Sequence, residues 1–187
     1  GDARVKLLAQ VQLLRENKRD QQAYDLLETA IESQPDDVDL LYDQALLAER
    51  LGNFEAMERQ LRKVIASKPD YMHAYNALGY SFADRNVRLP EARELIEKAL
   101  KQSPEDPMIL DSMGWVEFRM GKLNEALLLL QRAYQIRRDA EIAAHLGEVF
   151  WLLGKKEEAI AVWRDGLRLA PDNRALLETI KRLQAPM

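Results

Sequence analysis

The chain has 187 residues, 47% of them hydrophobic and 31% charged, and its formal net charge is −4 at pH 7. This balance is typical of a well-ordered protein rather than a disordered one, and the interspersed acidic and basic residues argue against a nucleic-acid-binding surface. The absence of cysteine excludes disulfides and thiolate metal sites, and two histidines leave little for a structural zinc site. No apolar run is long enough to cross a bilayer.

Helical spacing of apolar residues recurs along the whole chain, and no segment alternates apolar and polar residues long enough to predict a strand. We predict eleven helices, over residues 3–17, 20–33, 37–51, 54–67, 71–86, 89–103, 106–120, 123–136, 140–153, 156–169 and 173–184. Paired in order, they form five helix-turn-helix repeats and a capping helix, at 4–37, 38–71, 72–106, 107–139, 140–173 and 174–184. The prediction is one all-α domain over residues 1–187.

The chain repeats itself at a nearly constant interval. Steps from a proline to an acidic residue begin at Pro35, Pro69 and Pro104, 34 and 35 residues apart. Glycines recur 35 and 33 residues apart, at Gly79, Gly114 and Gly147. A period of about 34 residues is typical of a helix-turn-helix repeat. A second set of glycines falls between helices, where a left-handed residue ends a helix well; these are Gly52, Gly121 and Gly154.

The pattern resembles the tetratricopeptide repeat family over nearly the whole chain. The residues that carry the resemblance in the third and fifth repeats are Leu78, Gly79, Phe82, Ala92, Ile96, Ala99, Pro104, Leu146, Gly147, Phe150, Gly154, Ala159, Trp163 and Pro171. The resemblance implies a right-handed superhelical solenoid whose concave side, lined by the first helix of each repeat, binds protein ligands. Local departures are Met57 at a small-residue position, an extra residue around 86–88, and Arg138 in place of the terminal proline of a shorter fourth repeat.

A narrower resemblance rests on residues 76–80 and on the long run from 109–115 to 143–151, together with 162–164. They are similar to the C-terminal repeats of a group of Gram-negative envelope lipoproteins, whose best-known member resembles an adaptor that brings cell-wall hydrolases to a periplasmic carboxy-terminal processing protease. The resemblance implies a fragment of a lipoprotein on the periplasmic face of the outer membrane, with that protease and those hydrolases as partners. Without it, the expected location is the cytoplasm.

Candidate binding residues are those that point away from the small-residue seam of each first helix, at spacings of three and four that keep each set on one helical face. They are Tyr42, His73, Asn76, Tyr80, Asp84, Asp111, Trp115, Phe118, Arg119, His145, Glu148 and Trp151. An alternative interpretation stays open for Trp115, Phe118 and Trp151, because aromatic side chains are often packed in the core.

No catalytic site, metal site or cofactor is predicted. Asp111, Ser112 and His145 are the residue types of a hydrolytic triad, but Asp111 and Ser112 point about 100° apart on one helix and no oxyanion motif lies nearby. We therefore expect a non-enzymatic scaffold that binds a peptide segment or a helix of another protein. The alternative is a structural assembly element that self-associates, or stacks on further repeats, through its exposed N-terminal helix. Apolar residues ring much of this helix, at Leu7, Leu8, Val11, Leu13 and Leu14.

Overall fold

The structure, a computed structural model that describes residues 1–187, contains eleven α-helices and no β-strand. The helices are α1 Asp2–Glu16, α2 Asp20–Ser33, α3 Val38–Arg50, α4 Phe54–Ser67, α5 Met72–Asp84, α6 Leu89–Gln102, α7 Pro107–Arg119, α8 Leu123–Ile136, α9 Ala140–Leu152, α10 Lys156–Leu169 and α11 Arg174–Arg182. Every boundary lies within two residues of its predicted position. The all-α class and the count of five helix pairs plus a final helix are confirmed.

The chain divides into two compact units, Gly1–Leu78 and Gly79–Met187, and the boundary falls inside α5. In the first unit, α1, α2 and α3 enclose a core that includes Val11, Leu27 and Leu40. In the second unit, the largest core cluster surrounds Trp163, whose side chain is fully buried. Each unit is thus built from helix pairs that bury their apolar faces against one another.

The glycines at the 33–35-residue period are contact points between the two helices of a pair in the second unit. A Cβ atom on Gly79 would lie 2.6 Å from Ile96 of α6, and one on Gly114 would lie 2.7 Å from Leu130 of α8. A Cβ atom on Gly147 would lie 2.0 Å from the Trp163 indole of α10. Glycine is therefore required at these positions because a large side chain of the second helix occupies the space.

The connections carry the predicted signals. Gly52, Gly121 and Gly154 have φ angles of +78°, +81° and +80°, as predicted for residues that end a helix in the left-handed region. Asp37, Asn53, Asp106, Asp139 and Asn173 cap helices by accepting hydrogen bonds from backbone N–H groups of the first turn. Residues 85–88 form a four-residue connection where residues 120–122 and 153–155 each form one of three. This is the extra residue expected around 86–88.

The N-terminal helix buries only part of its apolar ring. Val11 is fully packed, Leu7, Leu8 and Leu14 are half-buried, and Leu13 is exposed. Apolar surface therefore remains open on α1. Self-association through this surface stays a prediction.

Candidate functional site

A cleft of about 420 Å³ lies within the second unit. Its walls come from the first helices α5, α7 and α9 and from the final helix α11. The lining residues are Tyr80, Asp84, Trp115, Arg119, His145, Glu148, Ala175, Glu178, Thr179 and Arg182. Six of these residues, from Tyr80 to Glu148 in the chain, were predicted from the sequence as binding residues.

The repeat places equivalent residues side by side in this cleft. Tyr80, Trp115 and Glu148 each follow one of the glycines that contact the paired second helix. One residue along a helix corresponds to a turn of about 100°, so these side chains point away from the seam. Arg182 lies 34 residues after Glu148 and continues the series on α11. At successive equivalent positions the cleft therefore presents a phenol, an indole, a carboxylate and a guanidinium group, which belong to Tyr80, Trp115, Glu148 and Arg182.

A hydrogen-bonded chain runs through His145. Nδ1 of His145 donates to Oδ1 of Asp111 at 2.9 Å, and Nε2 lies 3.3 Å from the hydroxyl of Tyr80. Burial opposes the charged imidazolium, but the carboxylate of Asp111, with weaker contributions from Asp84 and Glu141, outweighs it and raises the pKa of His145 above its ordinary value. His145 of the fifth repeat can therefore carry a proton that Asp111 of the fourth repeat stabilises.

Trp115 is buried, with 4% of its surface exposed. Its ring stacks on His145 at a centre-to-centre distance of 4.0 Å and on Phe118 at 4.5 Å. Its Nε1 donates a hydrogen bond to Oδ1 of Asp84 at 3.3 Å. Trp115 thus supports the wall of the cleft, and Phe118 packs behind it rather than lining the cleft. Most of the Trp115 side chain is therefore packed in the core, and only a small part of it faces the cleft.

Arg119 is fixed by the backbone of α5. Its Nε donates to the carbonyl of Ala83 at 2.9 Å and its Nη2 to the carbonyl of Asp84 at 2.8 Å. Its guanidinium carbon lies 5.0 Å from the centre of the Trp115 ring, within the range of a cation–π contact. Arg119 therefore adds side-chain hydrogen bonds to two carbonyls at the C-terminal end of α5.

The remaining predicted residues do not line this cleft. In the first unit, the ring of Tyr42 packs 5.3 Å from that of Tyr71, and burial raises the pKa of Tyr42. His73 is exposed, and the buried side-chain oxygen of Asn76 accepts no hydrogen bond. In the second unit, Trp151 packs 5.7 Å from Trp163.

The triad residue types do not form a triad. The hydroxyl of Ser112 donates to the carbonyl of Met108 on its own helix at 3.0 Å, while Asp111 and His145 bind each other. The structure contains no group of three or more His, Cys, Asp or Glu residues placed to hold a metal ion. None of its helices combines the length and the apolar character that crossing a membrane requires.

Sequence reasoning missed the contribution of α11, which it treated only as a cap. Ala175, Glu178, Thr179 and Arg182 line the cleft, and Nη2 of Arg182 donates to Oε1 of Glu148 at 2.5 Å. The signal was present, because the interval of 34 residues from Glu148 leads directly to Arg182. Extending the groove by one more period would have found it.

These features define the class: a protein of tandem helical hairpins with a cleft formed by successive first helices. The sequence matches the family described as Tetratricopeptide repeat over residues 8–56, 42–107 and 112–174. The chain belongs to the tetratricopeptide repeat family, whose members generally mediate protein–protein interactions and are generally non-catalytic scaffolds.

One relative is the TPR repeat-containing protein PA4667 of Pseudomonas aeruginosa, which is 47% identical over 141 residues. The alignment covers 75% of this chain and 24% of that protein, so the chain spans about a quarter of its relative.

Two solved structures show the same fold. A thermophilic TPR protein from Thermus thermophilus, TTC0263, superposes with a TM-score of 0.83 at 23% identity and 96% coverage of both chains. A chain of the APC/C hetero-tetramer Cut9–Hcn1 superposes with a TM-score of 0.85 at 17% identity, covering 96% of this chain and 36% of that one. The predicted solenoid fold class is thereby confirmed.

Proposed function

We propose that the chain is the protein-binding part of an adaptor and that the cleft in residues 79–187 binds a segment of a partner protein. The observation that carries the proposal is the composition of the cleft, in which successive repeats bring Tyr80 and Trp115 beside the charged groups of Asp84, Glu148 and Glu178. Aromatic walls with a few orienting polar groups are typical of sites that bind peptide segments.

The charges in the cleft favour a segment that carries basic side chains. Asp84, Glu148 and Glu178 supply three carboxylates, which outnumber the two guanidinium groups of Arg119 and Arg182 in the lining. A basic segment complements such a surface, and complementarity of charge contributes to specificity and to the rate of association.

The narrower proposal concerns the partner and the location. We propose that the intact protein is an outer-membrane lipoprotein on the periplasmic side, linking a carboxy-terminal processing protease to cell-wall hydrolases. Its support is the resemblance over 76–80, over the long run from 109–115 to 143–151, and over 162–164. The relative from Pseudomonas aeruginosa agrees with an origin of this chain in a Gram-negative bacterium.

The test is capture from a Gram-negative envelope extract by immobilised wild-type and variant chains, with proteins identified by mass spectrometry. Tyr80→Ala removes a half-buried ring of the cleft, and Glu178→Lys reverses an exposed charge that lines it. Glu94→Lys makes the same charge change on an exposed position of α6 and serves as the matched control. We expect the protease or a hydrolase to be captured by the wild type and the control, and lost from both cleft variants at unchanged thermal midpoints.

Capture of the same partner by all four chains would exclude the cleft as the binding site. The assembly alternative is favoured if capture falls instead when Leu13 on α1 is replaced by Glu, and if light scattering shows that the wild type self-associates.

A further inference from the structure

Glu148 is a buried carboxylate at the wall of the cleft. Its residue is 5% exposed, and its Oε1 accepts a hydrogen bond from Arg182. Removing a carboxylate from water is costly unless a cation or hydrogen-bond donors replace the lost hydration. Here the cation is the last residue of α11, whose side chain is 57% exposed. A buried anion is thus neutralised by a side chain that lies mostly in solvent.

The other cations near the cleft are held differently. Arg119 donates to two backbone carbonyls at the end of α5, so its position is fixed by the helix itself. Arg174 pairs with Glu178, and both of these side chains are exposed. Arg182 pairs with Glu148 from a helix end, so its side chain can leave by rotating about its own bonds, without a change in the backbone.

If the cleft binds a segment of a partner protein, as proposed above, a side chain of that segment reaches Glu148 only by taking the place of Arg182. We propose that this side chain is an arginine and that Arg182 is its intramolecular substitute, which the incoming arginine displaces. The guanidinium suits the site because it is planar and forms strong hydrogen bonds to a carboxylate. The half-buried ring of Tyr80 lines the same cleft, and aromatic rings favour guanidinium groups beside them.

The exchange is close to balanced, since one arginine–carboxylate pair replaces another and the released Arg182 becomes hydrated. Arg182 then competes with the ligand and lowers its apparent affinity, while Glu148 remains neutralised in the free protein. A neutral side chain cannot displace Arg182 without leaving a buried carboxylate unpaired, which disfavours it. The pair of Glu148 and Arg182 thereby selects for an arginine in the bound segment.

The experiment uses N-acetyl-arginine amide as the probe and the corresponding citrulline amide as its neutral analogue of nearly the same shape. Binding is measured on the isotope-labelled chain by NMR titration of the Glu148 backbone amide and the Trp115 indole. The variants are Arg182→Gln, which removes the competitor, and Glu148→Gln, which removes the carboxylate. Lys181→Gln makes the same charge change at a neighbouring exposed position of α11 that does not line the cleft.

We expect Arg182→Gln to bind the arginine probe about fivefold or more tightly than the wild type, and Lys181→Gln to match the wild type. Glu148→Gln should bind it several-fold more weakly, and the citrulline probe should bind every chain weakly. Because Arg182→Gln leaves Glu148 unpaired and can loosen α11, the comparison of wild type with Glu148→Gln is an independent test at the native α11 sequence.

Equal affinity of the arginine probe for wild type and Glu148→Gln, or equal affinity of the two probes, would overturn the arginine subsite. If the arginine subsite is overturned in this way but Tyr80→Ala still loses the partner, the proposed binding function of the cleft stands. If binding of the arginine probe depends on Glu148 but Tyr80→Ala captures the partner as well as the wild type does, the arginine subsite stands and the proposed function is rejected.

Discussion

His145 and Asp111 form a hydrogen bond across the interface between two successive repeats, with Nδ1 of the imidazole 2.9 Å from Oδ1 of the carboxylate. Both side chains are buried, and the far nitrogen of His145 reaches the Tyr80 hydroxyl. Three first helices, α5, α7 and α9, are therefore linked through one imidazole. Its protonation state affects how strongly these helices are held together.

The first prediction concerns pH. His145 titrates in the folded chain above its ordinary value of 6.5, because Asp111 outweighs the effect of burial, with Asp84 and Glu141 adding to it. The added stability is fully present below the unfolded pKa and is lost as pH rises through the folded pKa. Asp111→Asn should therefore lower the free energy of unfolding more at about pH 5.5 than at about pH 8, as measured by urea denaturation.

An NMR titration of the His145 ring checks the cause. Its pKa should fall in Asp111→Asn, while His73→Gln, a change at an exposed histidine, should leave it unaltered. An unchanged pKa of His145 in Asp111→Asn would show that the carboxylate does not set the charge of the imidazole.

The second prediction concerns the glycine seam. Gly147→Ala places a methyl group 2.0 Å from the Trp163 indole, in a region where both residues are fully packed. We expect the free energy of unfolding to fall by about 1–3 kcal/mol, the usual cost of overpacking a core. The measurement is chemical denaturation of both single variants and of Gly147→Ala combined with Trp163→Leu. The alanine should cost less in the leucine background, and equal costs in both backgrounds would rule out the indole as the obstacle.

The third prediction concerns the turn between α1 and α2. Lys18 has a φ of 60°, in the left-handed region that Gly52, Gly121 and Gly154 occupy in equivalent turns. Lys18→Gly should raise the free energy of unfolding by about 0.5–1 kcal/mol, because glycine adopts this conformation without the steric penalty of a side chain. Asn17→Gly is the control: Asn17 has a φ of −89° and its side chain bonds the Leu13 carbonyl, so this change should destabilise. A loss of stability in Lys18→Gly would contradict the argument.

Much of this fold could be predicted because its signals are residue types at fixed positions along the sequence. Gly121 and Gly154 end helices, and the interval between Gly114 and Gly147 gives the repeat directly. The degree of burial in the cleft could not be predicted in the same way. Spacing on one helix places Trp115 and Glu148 on the face away from their own seam, but it does not show how closely the next first helix approaches that face.

The consequence is clearest at Asp111, Trp115 and Glu148, which spacing assigned to the binding face and which the structure buries. Each is covered by a residue about one repeat away: His145 covers Asp111 and Trp115, and Arg182 covers Glu148. Such contacts depend on the side chains of two helices at once. They follow from the period only when all first helices, including α11, are compared at equivalent positions.

The last prediction separates support of the cleft from contact with a ligand. Trp115 is packed between His145 and Phe118, so Trp115→Ala removes a large buried ring and should lower the free energy of unfolding by about 3–5 kcal/mol. Tyr80 is only half-buried, and Tyr80→Ala should cost clearly less. Trp115→Ala should therefore weaken partner capture largely through unfolding, whereas Tyr80→Ala should weaken it in a chain that remains folded. Parallel denaturation and capture measurements on the two variants decide this, with Asp84→Ala as a third variant that removes the acceptor of the Trp115 indole but keeps the ring. Similar stability losses in Trp115→Ala and Tyr80→Ala would mean that the indole is no more structural than the phenol, and that Trp115 is not mainly a support of the cleft wall.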